Sequence, residues 1–257
     1  MKFNNHYQIL KDNVRRIFPR AEAPDFPIMD YIQDRAWDEE FVENYEEIAE
    51  AYLPTGPSRE TSVFRNLVDF WLHPDTYPGA PKTLNGAGPV RVADIGCGRG
   101  FVLSAFEGRK NFLTYGVDIS LTNLLHNETR TSALLRSFGE DLPLPRDILD
   151  MVIMTDLIEH VRDPERLVWE TARVMVPGGK LLVACPWEQD LSIYDRPEYK
   201  KKHGKFKFVH LHSIDKAFMK RTFHRFFQGS LVTRITVSVQ DMEFAPYEIR
   251  MFIFTKR

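Results

Sequence analysis

Cysteine is scarce: the 257 residues hold two, Cys97 and Cys185. Two thiols leave no room for a disulfide scaffold or a four-cysteine metal site, and they point to free thiols in a reducing compartment. Long apolar runs are missing as well. No stretch of about eighteen such residues offers a membrane span, and no basic-then-apolar leader opens the chain, so a cytoplasmic location is expected. There is no internal repeat and no low-complexity tract. A large excess of charge is absent too, with a formal net of -2 at pH 7. That near balance hides an asymmetry. Residues 1–89 carry 15 acids against nine Lys and Arg, whereas Arg196 to Arg225 holds ten bases against Glu198 and Asp215 alone. Such blocks can steer a charged ligand or attract each other within one molecule. At 43% hydrophobic residues, the chain can bury a full core.

What is present begins with Val92-Ala93-Asp94-Ile95-Gly96-Cys97-Gly98-Arg99-Gly100, a buried strand running into a glycine turn. Glycines at 96, 98 and 100 allow positive φ and bring a ligand against bare backbone. The dinucleotide fingerprint would place its third glycine where Phe101 stands, so a pyrophosphate site does not follow. An acid ahead of the turn also disfavours phosphate and suits a cation. Further on, Leu113 to Asp118 reads as a strand ending in a carboxylate. That carboxylate can cap a helix near Leu121 or accept from a diol, and the glycines upstream favour the diol. Ser137 to Pro143 is a loop carrying Glu140 and Asp141. Asp150 to Val161 is a buried strand and a turn ending Glu159-His160-Val161. Asp163-Pro164-Glu165 has an N-cap, a first-position proline and a first-turn acid, the signature of a helix start. Arg173 to Lys180 stops that helix with Pro-Gly-Gly, and Leu181 to Cys185 is the next strand.

The spacing D-x-G-x-G-x-G over Asp94 to Gly100 resembles motif I of the class I S-adenosylmethionine (SAM) methyltransferases of the type 11 kind. The later motifs follow in that family's order through residues 90–185, and a C-terminal hairpin matches its last two strands. The resemblance implies an α/β fold: a Rossmann-like, doubly wound, seven-stranded sheet with an antiparallel last strand, here with an N-terminal helical extension. It also implies SAM as cofactor and S-adenosylhomocysteine as product. Asp94, Gly96, Cys97, Gly98 and Gly100 would form the cofactor turn, with the Cys97 thiol packing rather than reacting. Asp118 and Ile119 would meet the ribose, and Gly139, Glu140 and Asp141 the adenine. Asp156 and Leu157 would lie near the methionine part. Phe138 departs from the pattern, standing where the family usually has an acid for the adenine amino group.

Around this core, residues 1–88 read as a helical extension or lid. Apolar faces fall at Leu10-Val14-Ile17-Phe18, at Phe41-Tyr45-Ile48-Ala49-Tyr52, and at Val63-Phe64-Leu67-Val68-Trp71, which Ser58 can cap. Residues 89–257 form the SAM-binding domain, with an insertion at about 186–212. Ser213 is expected to cap a helix carrying Ala217, Phe218, Phe226 and Phe227, and Leu231 to Val239 to pair with Tyr247 to Thr255.

Methyl transfer to oxygen needs a group to take the acceptor's proton. His210 and His212 are the candidates, since i and i+2 share one side of an extended chain; His160 is a third, alternatively tying its loop to the next helix. No Cys or acid at a convincing spacing completes a metal site with His210 and His212, so no metal is expected. A small-molecule acceptor, methylated on oxygen or nitrogen, fits the extra helices and the insertion. Lys200 to Phe208 is a segment that can hold an anionic group on it. No stable nucleic-acid partner is expected. The competing readings are an RNA or protein methyltransferase using the basic block, and a SAM-binding regulator without turnover.

Overall fold

In the computed structural model, the described residues are 28–32, 39–53, 64–66, 68, 69, 72, 88–127, 129, 133–187, 190–197, 200, 201, 209–237 and 247–257. The expected faces at Leu10 to Phe18, the Ser58 cap and most of the Lys200 to Phe208 run lie outside them. The strands are β1 (Ile28–Asp30), β2 (Val90–Ile95), β3 (Phe112–Asp118), β4 (Ala133–Arg136), β5 (Leu149–Thr155), β6 (Met175–Pro186), β7 (Phe227–Val237) and β8 (Tyr247–Lys256). The helices are α1 (Glu39–Tyr52), α2 (Leu121–Leu125), α3 (Pro164–Val174) and α4 (Lys216–Phe223).

The central strands are apolar almost throughout because both faces of the sheet are covered. Along β5, Val152 and Met154 face one core while Met151 and Ile153 face the other. In β6 the same alternation sends Leu181, Val183 and Cys185 one way and Leu182 and Ala184 the other. Helices α3 and α4 cover the first face through Leu167, Val168, Phe218 and Phe223. Phe223 stacks on Phe254 of β8 at 4.7 Å between ring centres. Phe64, Val68, Leu72, Val102 and Phe106 cover the second face.

The sheet order is β1-β4-β3-β2-β5-β6-β8-β7. β8 runs antiparallel to both neighbours, and the other pairs are parallel. This is the expected doubly wound sheet with its antiparallel last strand, widened to eight strands. The added strand, β1, comes from the extension expected to be helical. It pairs with β4 from Ile28↔Leu134 to Asp30↔Arg136. Arg136 then draws three segments together: Nη1 donates to Asp30 at 3.1 Å, Nη2 to Glu46 of α1 at 2.8 Å, and Nε to the Ile119 carbonyl at 3.0 Å.

Two expected boundaries move. The cap of α4 is Asp215, whose carboxylate accepts from the Phe218 amide at 2.7 Å; Ser213 precedes it, Phe226 follows the helix and Phe227 opens β7. Strand β6 begins at Met175, directly after α3, and carries the Pro-Gly-Gly inside it with Gly178 at φ 80°. The Asp163 cap with Pro164 behind it stands as the sequence indicates. Both cysteines are free and buried. No helix among the described residues is long and apolar enough to cross a membrane.

Candidate active site

Neighbouring strands β2 and β5 run parallel, but their connections leave toward opposite sides of the sheet, which opens a crevice at their carboxyl ends. A cavity of about 470 Å³ lies there, a volume within the range of small-molecule sites. Its walls come from the turns after β2, β3, β4 and β5, from α1, and from the segment around Val209 and His210.

The glycine turn forms one end. Gly96, Gly98 and Gly100 all have positive φ, at 77°, 52° and 81°. Packing forbids a side chain at two of them: a Cβ on Gly96 would come within 2.9 Å of Leu157, and one on Gly100 within 2.6 Å of Asn127. At Gly98 nothing lies within 4 Å, so the bare backbone faces open space. Its N–H donates to Asp118 Oδ2 at 2.8 Å, while Ser120 N–H donates to Oδ1 at 2.8 Å. Asp118 therefore buttresses the turn and also lines the cavity. The cap of α2 is Ser120, accepting from Asn123 N–H at 3.1 Å.

Burial raises the Asp118 carboxyl, opposed by the bonds it accepts from Ser120, Gly98 and Asn123. Asp94, 1% exposed behind the turn, is pushed well above the usual carboxylate range by burial and then by Asp118. Its Oδ1 finds no hydrogen-bond partner among the described residues. A buried acid behind the bare backbone and a half-buried one lining the cavity suit a ligand that brings positive charge and hydroxyl donors.

The middle of the cavity is aromatic. Phe41, Tyr45, Ile48 and Tyr52 follow helical spacing along one face of α1, and all four line it. Phe138 lines it as well, stacked against Phe41 with ring centres 6.5 Å apart. Helix α1 is held in place by Glu46, which accepts from Ser120 Oγ at 2.8 Å, Leu121 N–H at 2.7 Å and Thr122 N–H at 3.0 Å. A residue 75 positions away thus satisfies amides that open α2, next to Asp118. Arg99 of the glycine turn donates to the Leu53 carbonyl at 3.3 Å, just beyond the C-terminal end of α1.

The other end belongs to His160 and His210, whose rings meet edge to face at 4.7 Å. His160 Nδ1 donates to the Val209 carbonyl at 2.6 Å, and Leu211 N–H donates to the Glu159 carbonyl at 2.7 Å. His160 is pushed down to about 3 by burial first and by His210 next, so its ring is neutral. His210 Nδ1 pairs with the Tyr194 hydroxyl at 2.7 Å. The Tyr45 hydroxyl donates to the His160 carbonyl at 3.3 Å; burial and the nearby charges of Glu159, Asp118 and Glu140 raise it and keep it protonated.

Of the residues expected at the site, Gly96, Gly98, Asp118, Ile119, Gly139, Glu140, Asp156, Leu157, His160 and His210 line the cavity. Asp156 does so with a left-handed φ of 46°, a strained conformation of the kind concentrated at functional turns. Five do not line it. Asp94 lies behind the turn. Cys97 packs with Leu103, Leu124 and Leu134, its sulfur 2.9 Å from where a Cβ on Gly116 would stand. Gly100 abuts Asn127. Asp141 turns back on its own loop, its amide donating to Phe138 and its carbonyl accepting from Ser137. His212 donates from Nε2 to the Val161 carbonyl at 2.8 Å and packs near Phe218. The i, i+2 argument fails for His212 because the segment from 209 to 213 is not a strand. Glu140 lines the cavity but directs Oε1 to Arg162 N–H at 3.1 Å, at the start of the approach to α3.

Residues 93–183 match the family model described as a methyltransferase domain. This part of the chain is a class I, SAM-dependent methyltransferase domain. Among proteins of known sequence, the chain is similar to a ubiquinone biosynthesis O-methyltransferase of Rhodopseudomonas palustris, with 34% identity over 109 residues, 40% of this chain and 43% of the relative. It is also similar to a protein of that name from Cupriavidus pinatubonensis, with 29% identity over 157 residues, 53% of this chain and 63% of the relative. The chain thus spans about half the length of the curated relatives it matches. Among solved structures, the YcgJ protein of Bacillus subtilis superposes with a TM-score of 0.59 at 14% identity, over 76% of this chain and 99% of that one. A possible histamine N-methyltransferase from Thermotoga maritima gives 0.52 at 20% identity, over 86% and 98%. At such identities these two establish the fold.

Proposed function

We propose that the protein transfers a methyl group from SAM to an oxygen of a small-molecule acceptor. The observation that carries this reading is one cavity with a cofactor end, Gly98 and Asp118, and an imidazole end, His160 and His210, spanned by the aromatic face of α1. SAM supplies a methyl on a sulfonium, whose positive charge is lost as the acceptor attacks. The chain's own part is to hold the two reactants in line and to exclude water. Asp118 accepts from the ribose hydroxyls, the Gly98 backbone lets the cofactor approach, and Phe138 supplies a flat apolar wall for the base. His160 and His210 face the acceptor's hydroxyl and take part in removing its proton. Oxygen is preferred to nitrogen because the similar curated proteins carry the name O-methyltransferase.

Residues 1–88 act in this reading as an extension that closes the cavity, residues 89–257 as the catalytic domain, and the setting is cytoplasmic. The described lining contains Asp118, Glu140 and Asp156 and no Lys or Arg. It therefore favours a neutral acceptor over the anionic one suggested by Lys200 to Phe208, and it does not favour RNA. The test is incubation with methyl-labelled SAM and a fractionated cell extract, together with a panel of simple phenols and alcohols. Label in the small-molecule fraction supports the reading. Label in RNA or protein points to a macromolecular acceptor, and tight SAM binding with no transfer points to a regulator.

A further inference from the structure

Sequence spacing offers no third ligand to His210 and His212, but the fold supplies different company for His210. The turn after β5 brings Glu159 and His160, and the bond from Leu211 N–H to the Glu159 carbonyl lays the His210 segment beside them. One ligand atom from each of Glu159, His160 and His210 lies within 4.8 Å of the others. We propose that Glu159, His160 and His210 form a binding site for one divalent transition-metal ion at the acceptor end of the cavity.

Three observations support it. The first is the donor set, since two imidazoles and one carboxylate suit zinc, cobalt or iron better than magnesium or calcium, which prefer all-oxygen shells. The second is orientation. A ligating histidine usually has its outer nitrogen fixed by a carbonyl or another polar group. His160 Nδ1 donates to the Val209 carbonyl at 2.6 Å, and His210 Nδ1 pairs with the Tyr194 hydroxyl at 2.7 Å. Both rings can therefore present Nε2. The third is placement: the Glu159 carboxylate is fully buried, with Oε1 3.8 Å from His160 Nε2, while both histidines line the cavity. Three protein ligands on one side would leave the remaining positions open to the cavity, the arrangement of catalytic rather than structural sites. Ligand distances of roughly 2.0–2.2 Å require the three atoms to draw together by up to about 1.5 Å, within reach of side-chain rotation.

A metal here would polarise an acceptor hydroxyl and ease loss of its proton to solvent, making His210 a ligand instead of a base. That consequence rests on the methyl-transfer reading. The binding itself does not, so it is tested without cofactor or acceptor. Untagged full-length protein, stripped with a chelator, is titrated with Co(II) by visible absorption and with Zn(II) by calorimetry. The expected result is one equivalent bound, with the absorption of a nitrogen-oxygen site. His160→Ala and His210→Ala each weaken binding by about tenfold or more, and His212→Ala leaves it unchanged. Circular dichroism and SAM affinity confirm that the variants remain folded. Glu159→Gln is a further variant, but its buried position makes the two histidine variants the deciding ones. Absence of binding by the wild type, or a loss below tenfold in either histidine variant, would overturn the site. Metal binding without methyl transfer would leave it standing and remove the methyl-transfer reading.

Discussion

The two ends of the cavity are built in opposite ways. At the glycine-turn end, proposed for the cofactor, a nine-residue stretch and one carboxylate twenty residues later make a rigid turn whose shape is set by backbone: three positive φ angles and an Asp118 that ties Gly98 to Ser120. At the imidazole end, His160 and His210 stand 50 positions apart, and their geometry depends on Val209, Tyr194 and Leu211. The first end is specified locally, and the second is assembled. A local device is damaged most by changes within it, while an assembled one is open to changes in any of its supports.

The sharpest test of the local end is Gly98→Val, which places a β-branched residue at φ 52° on the ligand surface. SAM affinity measured by calorimetry is expected to fall by about a hundredfold or more, because backbone strain and the loss of open space act together. Asp118→Ala follows, with a loss of similar order in affinity. It also lowers thermal stability, since two backbone N–H groups lose their acceptor at about 1 kcal/mol each. Undiminished affinity in both would break the assignment of this end.

For the assembled end, His210→Ala is expected to cut turnover on a transferred-label assay by roughly a hundredfold while leaving SAM affinity within about threefold. An equal loss in both quantities would merge the two ends into one. The link between them is Glu46, and Glu46→Ala is expected to weaken SAM binding by about tenfold, because α1 loses its hold on the amides beside Asp118. Proteolysis within α1 in the variant, measured with and without SAM, checks that cause. The smallest effect belongs to His212→Ala, expected to cost about 1 kcal/mol in denaturant unfolding with turnover unchanged. A large drop in turnover would return His212 to the site.

These expectations separate what was readable from what was not. The glycine turn, the strand-ending Asp118 and the Asp163-Pro164 helix start were legible because each depends on backbone constraints within a few residues. The aromatic stripe at Phe41, Tyr45, Ile48 and Tyr52 was legible as a helix face, but periodicity does not say what a face meets. Glu46 was one acid among fifteen, and Arg136 one residue at the end of a short strand; neither carried a signal. Each acquired its role only when β1, α1 and α2 came together. His212 shows the converse error, since an extended-chain rule was applied to a segment that bends.

The sequence by itself determined the succession of central strands along the chain, the glycine turn and the start of α3, because alternation, glycine conformations and capping are short-range physics; the class of fold came from the resemblance those motifs carry. Only the tertiary structure decided that an extra strand joins the sheet, that α1 roofs the cavity, and that Glu159 and His160 share a corner with His210. Those are contacts between residues tens of positions apart, fixed by how buried faces pack and by which carbonyl each amide finds, and no local pattern records them.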